Sequence, residues 1–218
     1  MYRETMCAHY VGLPDEEINL LIAQMTGEQP DGYSRQEPED TEAEQRIDVY
    51  PKSVAPVIVP TFDTAAGIEQ LGPGTLERAE LEWGYSSQWN PRPIFNTRIE
   101  SADKPIWRAS MEHDRCIIAC RWFYESSGTE TRVSERTGRA IKQQYAFTVP
   151  RMPIIFIGGI RRSHEYSMVT TRANAAMAPV HPRMPLILHP TELATWLGPD
   201  YMRLADRFAV PLDARPVH

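Results

Sequence analysis

The chain has 218 residues, 42% of them hydrophobic, and a formal net charge of −6. That length suits a single domain with a core of ordinary size, and three cysteines are too few and too odd in number for a disulfide framework. No apolar run is long enough to cross a bilayer and no signal-peptide apolar segment opens the chain, so a cytoplasmic protein with reduced thiols is expected.

In chain order, Met6-Cys7 comes first. If translation starts at Met6 and that methionine is removed, Cys7 carries both a free α-amine, with a pKa of about 7.7–8.0, and a thiol, with a pKa of about 8.5. An amine attacks an aldehyde to give an imine, and the neighbouring thiol can then close a five-membered thiazolidine. Residues 1–6 are therefore read as an extension absent or removed from the mature protein, and 7–218 as one domain. Residues 14–25 read as a helix, with Ile18, Leu21, Ile22 and Met25 on one face and a proline and acids at the start. An acidic loop follows over about 27–48. From Glu28 to Asp48 there are eight acids and two bases, so this stretch carries the whole net charge and the remainder is neutral. A neutral body with clustered arginines is compatible with a nucleic-acid backbone.

Beyond the loop the pattern turns strand-like. Residues 54–59 form an apolar run broken by Pro56, expected as an edge strand or a strand start. Short strands are expected at 81–85 and 94–97, a helix at 104–111 and one long central strand at 115–124. Residues 126–143 read as a polar hairpin loop. Strands at 144–149, 154–160 and 166–171 continue the sheet, and helices are expected at 173–178 and 191–196. Many short strands without βαβ alternation indicate an α+β domain, an antiparallel, barrel-like β core with flanking helices.

Four residues could carry chemistry: Cys7 as nucleophile, Asn96 at a strand end, Glu125 after Trp122-Phe123-Tyr124, and His181 in a proline-rigid loop. A carboxylate following three aromatics is desolvated, which raises its pKa toward neutrality. Taken singly, each has a plainer explanation: a turn asparagine, a solvent-reaching glutamate, a surface histidine, a buried cysteine. Cys116 and Cys120 lie four apart on a strand, roughly 13 Å, too far for one zinc, and are read as buried structural thiols. No metal or cofactor is expected. The chain lacks a G-x-S-x-G elbow, a P-loop and a G-x-G-x-x-G turn.

The combination is more specific than its parts. Met6-Cys7, Trp83-Gly84-Tyr85 with Trp89, Asn96-Thr-Arg98-Ile-Glu100, Arg115-Cys116 leading to Phe123-Tyr124-Glu125, Val169-Thr170-Thr171 with Ala173-Asn174, and His181-Pro-Arg183-Met-Pro185 occur in that order. In this the chain resembles the SRAP (SOS response-associated peptidase) family of abasic-site processing proteins, from Cys7 to about Trp196. The resemblance implies a DNA-repair protein that binds abasic sites in single-stranded DNA. Cys7 would crosslink to the sugar aldehyde as a thiazolidine, Glu125 would act as acid and base, His181 would support the imine step, and Asn96 would position the cysteine and the sugar. It further implies DNA contacts from Trp89, Arg98, Thr170 and Arg183, and from His9, which stands where the family has an arginine. Asp48 replaces an asparagine, and Asn90 a second tryptophan. Two other outcomes stay open: a cysteine autopeptidase that cuts its own N-terminal segment, and a single-stranded-DNA binding module without crosslinking. A monomer is expected, associated with the nucleoid when bound to DNA.

Overall fold

The structure is a computed structural model that describes residues 7–28, 46–88 and 90–217. The expected extension at 1–6, most of the acidic loop, and Trp89 lie outside the described residues. The first strand, β1 (His9–Gly12), leads into α1 (Asp15–Thr26). Pro14 caps α1 from an extended conformation, three acids occupy the first turn at the positive end of the helix dipole, and Gly27 ends it in the left-handed region at φ 72°. The expected face holds: Ile18, Leu21 and Ile22 are buried.

Next come β2 (Ile47–Val49), β3 (Val54–Pro60), β4 (Leu76–Trp83), β5 (Tyr85–Ser87), β6 (Asn90–Ile94) and β7 (Asn96–Arg98). After α2 (Pro105–His113) follow β8 (Arg115–Cys120), β9 (Trp122–Val133), β10 (Ala140–Thr148), β11 (Ile155–Arg162) and β12 (Glu165–Arg172). The chain finishes with β13 (Arg183–Pro185), β14 (Ile187–Leu188), α3 (Leu193–Trp196) and β15 (Asp213–Pro216).

An antiparallel sheet has the order β15-β10-β9-β1-β2, and a larger one the order β13-β12-β4-β3-β8-β11-β14, with β7 on β12. Because β11 also pairs with β12, the strands β12-β4-β3-β8-β11 close into a ring. The core is thus α+β and barrel-like, but mixed, since β12 runs parallel to β4 and to β7. Strand alternation divides the apolar residues. Cys116, Ile118 and Cys120 join a cluster with Tyr10, Phe123 and Phe147 of the smaller sheet. Ile117 and Ala119 pack instead with Ile18, Trp107 and Trp196 under the helices. Burial on both faces explains the unbroken apolar run of β8.

Four local expectations change. β3 is interior, between β4 and β8. Pro56 is tolerated because β3 meets β8 only at Ile58↔Ile117, which leaves the proline stretch paired on the β4 side. The single long strand is two, β8 and β9, which break at Arg121 and enter different sheets. The polar loop at 126–143 is mostly the β9–β10 ladder, closed by a turn in which Ser134 bonds to Arg139. Residues 173–178 are turns rather than helix: the Asn174 side chain caps the Ala176 and Met177 N–H groups as at a helix start, but Pro179 and Pro182, which have no N–H to donate, follow too closely for the turn to continue.

Candidate functional site

The register β1–β9 pairs His9 with Tyr124 and Tyr10 with Phe123, so the chain ahead of β1 runs beside Glu125. The Cys7 backbone nitrogen donates to Glu125 Oε2 at 2.6 Å, and Glu125 Oε1 accepts from Ser126 N–H at 3.1 Å. Asn96 Nδ2 donates to the Cys7 carbonyl at 3.2 Å. Asn96 is held in place by its neighbour. The Phe95 carbonyl accepts from Trp83 Nε1 at 2.8 Å and from Met168 N–H at 2.9 Å, which fixes the start of β7 on β12. Cys7, Glu125 and Asn96, separated by up to 118 positions in sequence, therefore meet around one backbone unit.

Glu125 is 3% exposed, the desolvation expected from its aromatic context. Cys7 is fully buried. Burial, reinforced by the nearby Glu125 charge and by Cys120, holds its thiol well above the usual cysteine range and therefore protonated. His181 is buried, and its Nδ1 lies between the N–H of Arg183 at 3.1 Å and the carbonyl of the same residue at 3.2 Å, so either tautomer has a partner. Its loop is tied to β9 by Gly128 N–H on the Val180 carbonyl at 3.1 Å, three residues past Glu125. Met177, Val180 and Met184 around it share the apolar cluster of Cys7. Cys116 and Cys120 are buried in β8, as expected.

The residues expected to meet DNA differ in how far they are already engaged. Arg98 is exposed on β7, beside Thr170 of β12. Thr170 is buried, and its hydroxyl donates to the Thr97 carbonyl at 3.1 Å. Arg183 forks onto Glu100 at 2.7 and 2.8 Å and also donates to the Thr170 carbonyl at 2.9 Å, so its guanidinium ties β13 to β12 and to the turn after β7. The Arg183 hydrogen bonds hold the Glu100 carboxyl below its usual range. His9 is buried, Nε2 to Asp48 Oδ1 at 2.6 Å, and its ring is stacked between Tyr50 and Tyr124. Burial lowers the His9 pKa below the usual histidine value and outweighs the contact with Asp48. Burial pushes the Asp48 carboxyl up, but hydrogen bonds from His9 and Arg46 outweigh it and leave its pKa lowered. The carboxylate at position 48 thus faces His9 and Arg46 rather than standing as an uncompensated negative charge.

Sequence reasoning missed Arg46, Tyr50 and Arg172. Arg46 and Tyr50 flank β2 on either side of Asp48, a period-2 spacing legible once that strand is granted. Arg172 is exposed on β12 in register with Arg183, and so adds a second cation near Arg98.

Several known proteins share this arrangement of strands. A phage-related protein from Bordetella bronchiseptica superposes with a TM-score of 0.63 at 18% identity, over 97% of this chain and 94% of that one. A protein from Bacteroides thetaiotaomicron gives the same TM-score over 97% and 92%. Among curated relatives, the abasic site processing protein YoqW of Bacillus subtilis is 26% identical over 55% of this chain and 57% of its own length. The abasic site processing protein YedK of Escherichia coli is 26% identical over 53% and 52%. The chain thus spans little more than half the length of these relatives. A family description, SOS response associated peptidase (SRAP), matches residues 6–217. With nearly every residue covered by that match, and the motif residues Cys7, Asn96 and Glu125 joined by hydrogen bonds, the chain belongs to the SRAP family.

Proposed function

We propose that this protein processes abasic sites in single-stranded DNA by capturing the ring-opened sugar aldehyde on Cys7 as a thiazolidine crosslink. The observation that carries this reading is the 2.6 Å contact between the Cys7 nitrogen and Glu125 Oε2. In a mature chain starting at Cys7 that nitrogen is an amine, and the carboxylate is placed to take its proton. The amine adds to the sugar C1′ to give a carbinolamine. Proton return from Glu125, with His181 as a second proton carrier, expels water and leaves the imine. The Cys7 sulfur adds to the same carbon as its proton passes to the imine nitrogen, closing the ring. The net change is aldehyde plus aminothiol to thiazolidine plus water. Asn96 holds the Cys7 carbonyl throughout, Arg98 meets a flanking phosphate, and Trp89 stacks on a base. The naming of the curated relatives as abasic site processing proteins supports the substrate class.

A second reading is favoured by the same contact. With residues 1–6 attached, the Cys7 nitrogen is the leaving atom of the bond between residues 6 and 7. A carboxylate on that nitrogen suits self-cleavage: the Cys7 thiol adds to the residue-6 carbonyl, the nitrogen leaves with a proton supplied by Glu125, and water hydrolyses the resulting thioester. The family description, which names a peptidase, supports this reading. The two activities are compatible, since the cut exposes the amine.

The test is denaturing electrophoresis of the protein with a single-stranded oligonucleotide carrying one abasic site. A heat-stable shifted band that Cys7→Ala removes is expected. DNA binding without such a band would leave only a binding module. Intact mass identifies the mature first residue and, with it, any self-cleavage.

A further inference from the structure

Tyr124, His9 and Tyr50 form a continuous stack. The Tyr124 and His9 ring centroids are 4.2 Å apart at 17°, and those of His9 and Tyr50 are 4.3 Å apart at 20°. The inner members are buried, whereas Tyr50 is 48% exposed. Tyr50 and Phe208 are the exposed aromatic side chains among the described residues, and of the two Tyr50 has a ring packed behind it. Its backbone is locked as well. Tyr50 N–H donates to Ser53 Oγ at 3.2 Å, and Ser53 N–H to the Tyr50 carbonyl at 2.9 Å, across a turn in which Lys52 is left-handed at φ 79°. The His9 plane is clamped by Asp48 Oδ1 at 2.6 Å. Tyr50 is therefore an aromatic face ordered before any ligand arrives.

The charges around it are balanced. Arg46 pairs with Asp48 at 3.0 Å and lies over the Tyr124 ring, and Lys52 pairs with Glu82 at 2.6 Å. A neutral planar face rimmed by two half-exposed cations accepts a planar ring that carries a phosphate better than it accepts a bare anion. The platform is carried by the strands that carry the reacting centre: His9 is two residues from Cys7, about 7 Å along extended chain, and Tyr124 and Glu125 are neighbours on β9, on alternate faces of the strand.

We infer that Tyr50 is a stacking platform for an unpaired nucleobase adjacent to the lesion, with His9 and Tyr124 as its rigid backing. This deepens the reading of the protein as an abasic-site binder and rests on it. Stacking of one base on an aromatic side chain corresponds to roughly a 5- to 150-fold change in affinity on truncation.

The experiment uses single-stranded oligonucleotides with a tetrahydrofuran abasic analogue, which has no aldehyde, and 2-aminopurine at each flanking position in turn. The wild-type protein is expected to quench 2-aminopurine at one of these positions. Tyr50→Ala should lose that quenching and bind about 5- to 150-fold more weakly, whereas Tyr50→Trp should keep both, with thermal unfolding of each variant confirming that it is folded. Equal quenching and affinity for wild type and a folded Tyr50→Ala overturn the platform. A natural abasic site is run in parallel. Wild-type protein that quenches without crosslinking sinks the capture chemistry and leaves the platform standing. Crosslinking that survives beside an unaltered Tyr50→Ala signal does the reverse. Absence of any wild-type binding removes both.

Discussion

Glu125 meets Cys7 at the nitrogen and not at the sulfur, and this orders the proposed chemistry. In aldehyde capture the amine, which carries the Glu125 contact, acts first, and the buried thiol, its pKa pushed up, adds second to the imine carbon. Glu125→Gln preserves the size of the side chain and an acceptor oxygen, but it cannot take the amine proton. Crosslink formation should slow by about 10²- to 10⁴-fold in a gel time course, with the unfolding temperature nearly unchanged. A rate within a few-fold of wild type would remove Glu125 from the proton path. The two arginines of the motifs should separate by assay. Arg98→Ala should reduce the salt dependence of DNA binding by about one phosphate contact and leave stability alone. Arg183→Ala, which breaks the fork to Glu100 and the bond to the Thr170 carbonyl, should cost about 1–3 kcal/mol of unfolding free energy in a denaturant titration. The candidate residues were legible because short motifs carried them. That Arg183 is already engaged was not, because Glu100 lies 83 positions away and an Arg-Met-Pro string does not reveal its acceptor.

At the scale of elements, the site depends on where β7 begins, and Gly84 controls that. The chain turns at Gly84 with φ 123°, and a Cβ there would sit 2.6 Å from Pro93 Cβ and 3.4 Å from Phe95 Cβ. Phe95 is the residue whose carbonyl fixes the start of β7, so relief of the clash pushes on Asn96. Gly84→Ala combines a disfavoured backbone with overpacking and should lower stability by about 2–4 kcal/mol. At temperatures where the variant is still folded it should also crosslink more slowly, because Asn96 shifts off the Cys7 carbonyl. A variant with wild-type stability would show that the β4–β5 break is not a strained turn. Most elements could be read from periodicity and caps: α1 from its apolar face, α2 from Pro105, β11 from its apolar run and β12 from its aromatic and β-branched residues. The β8–β9 junction could not, since Cys116 to Tyr124 is apolar but for Arg121 and the change of sheet there depends on β11 pairing with the first half and β1 with the second. The β9–β10 ladder was missed for the opposite reason. Its polar residues face solvent on a two-stranded ribbon and carry no burial pattern.

At the scale of the molecule, the closed ring of strands was the least legible feature. Its parallel contact joins β4 to β12 across more than eighty residues, and local pattern says nothing of it. That closure nevertheless gives Cys7 its surroundings, with the larger sheet supplying Asn96 and the smaller one Glu125. The structure holds the Cys7 nitrogen as an amide, and a free amine in the same place would meet the same carboxylate, so under the proposed function binding and covalent capture should be separable. An amide nitrogen has no basic lone pair and cannot form an imine, so only chains that begin at Cys7 should crosslink. Preparations containing both forms should yield a crosslinked fraction equal to the fraction of N-terminal Cys7 measured by intact mass. Acetylation of that amine should abolish the crosslink while leaving the unfolding temperature and the affinity for a tetrahydrofuran-containing strand within a few-fold of the untreated protein. The free amine titrates at about 7.7–8.0 when unperturbed; a carboxylate beside it favours the charged form and burial the neutral one. The crosslinking rate should therefore climb as pH rises through and above this range, the neutral amine being the attacking species. In Glu125→Gln the rise should begin at lower pH, because the opposing charge is gone. A rate that is flat with pH, or a crosslink that persists on acetylated protein, would mean that the nitrogen of Cys7 is not the first nucleophile.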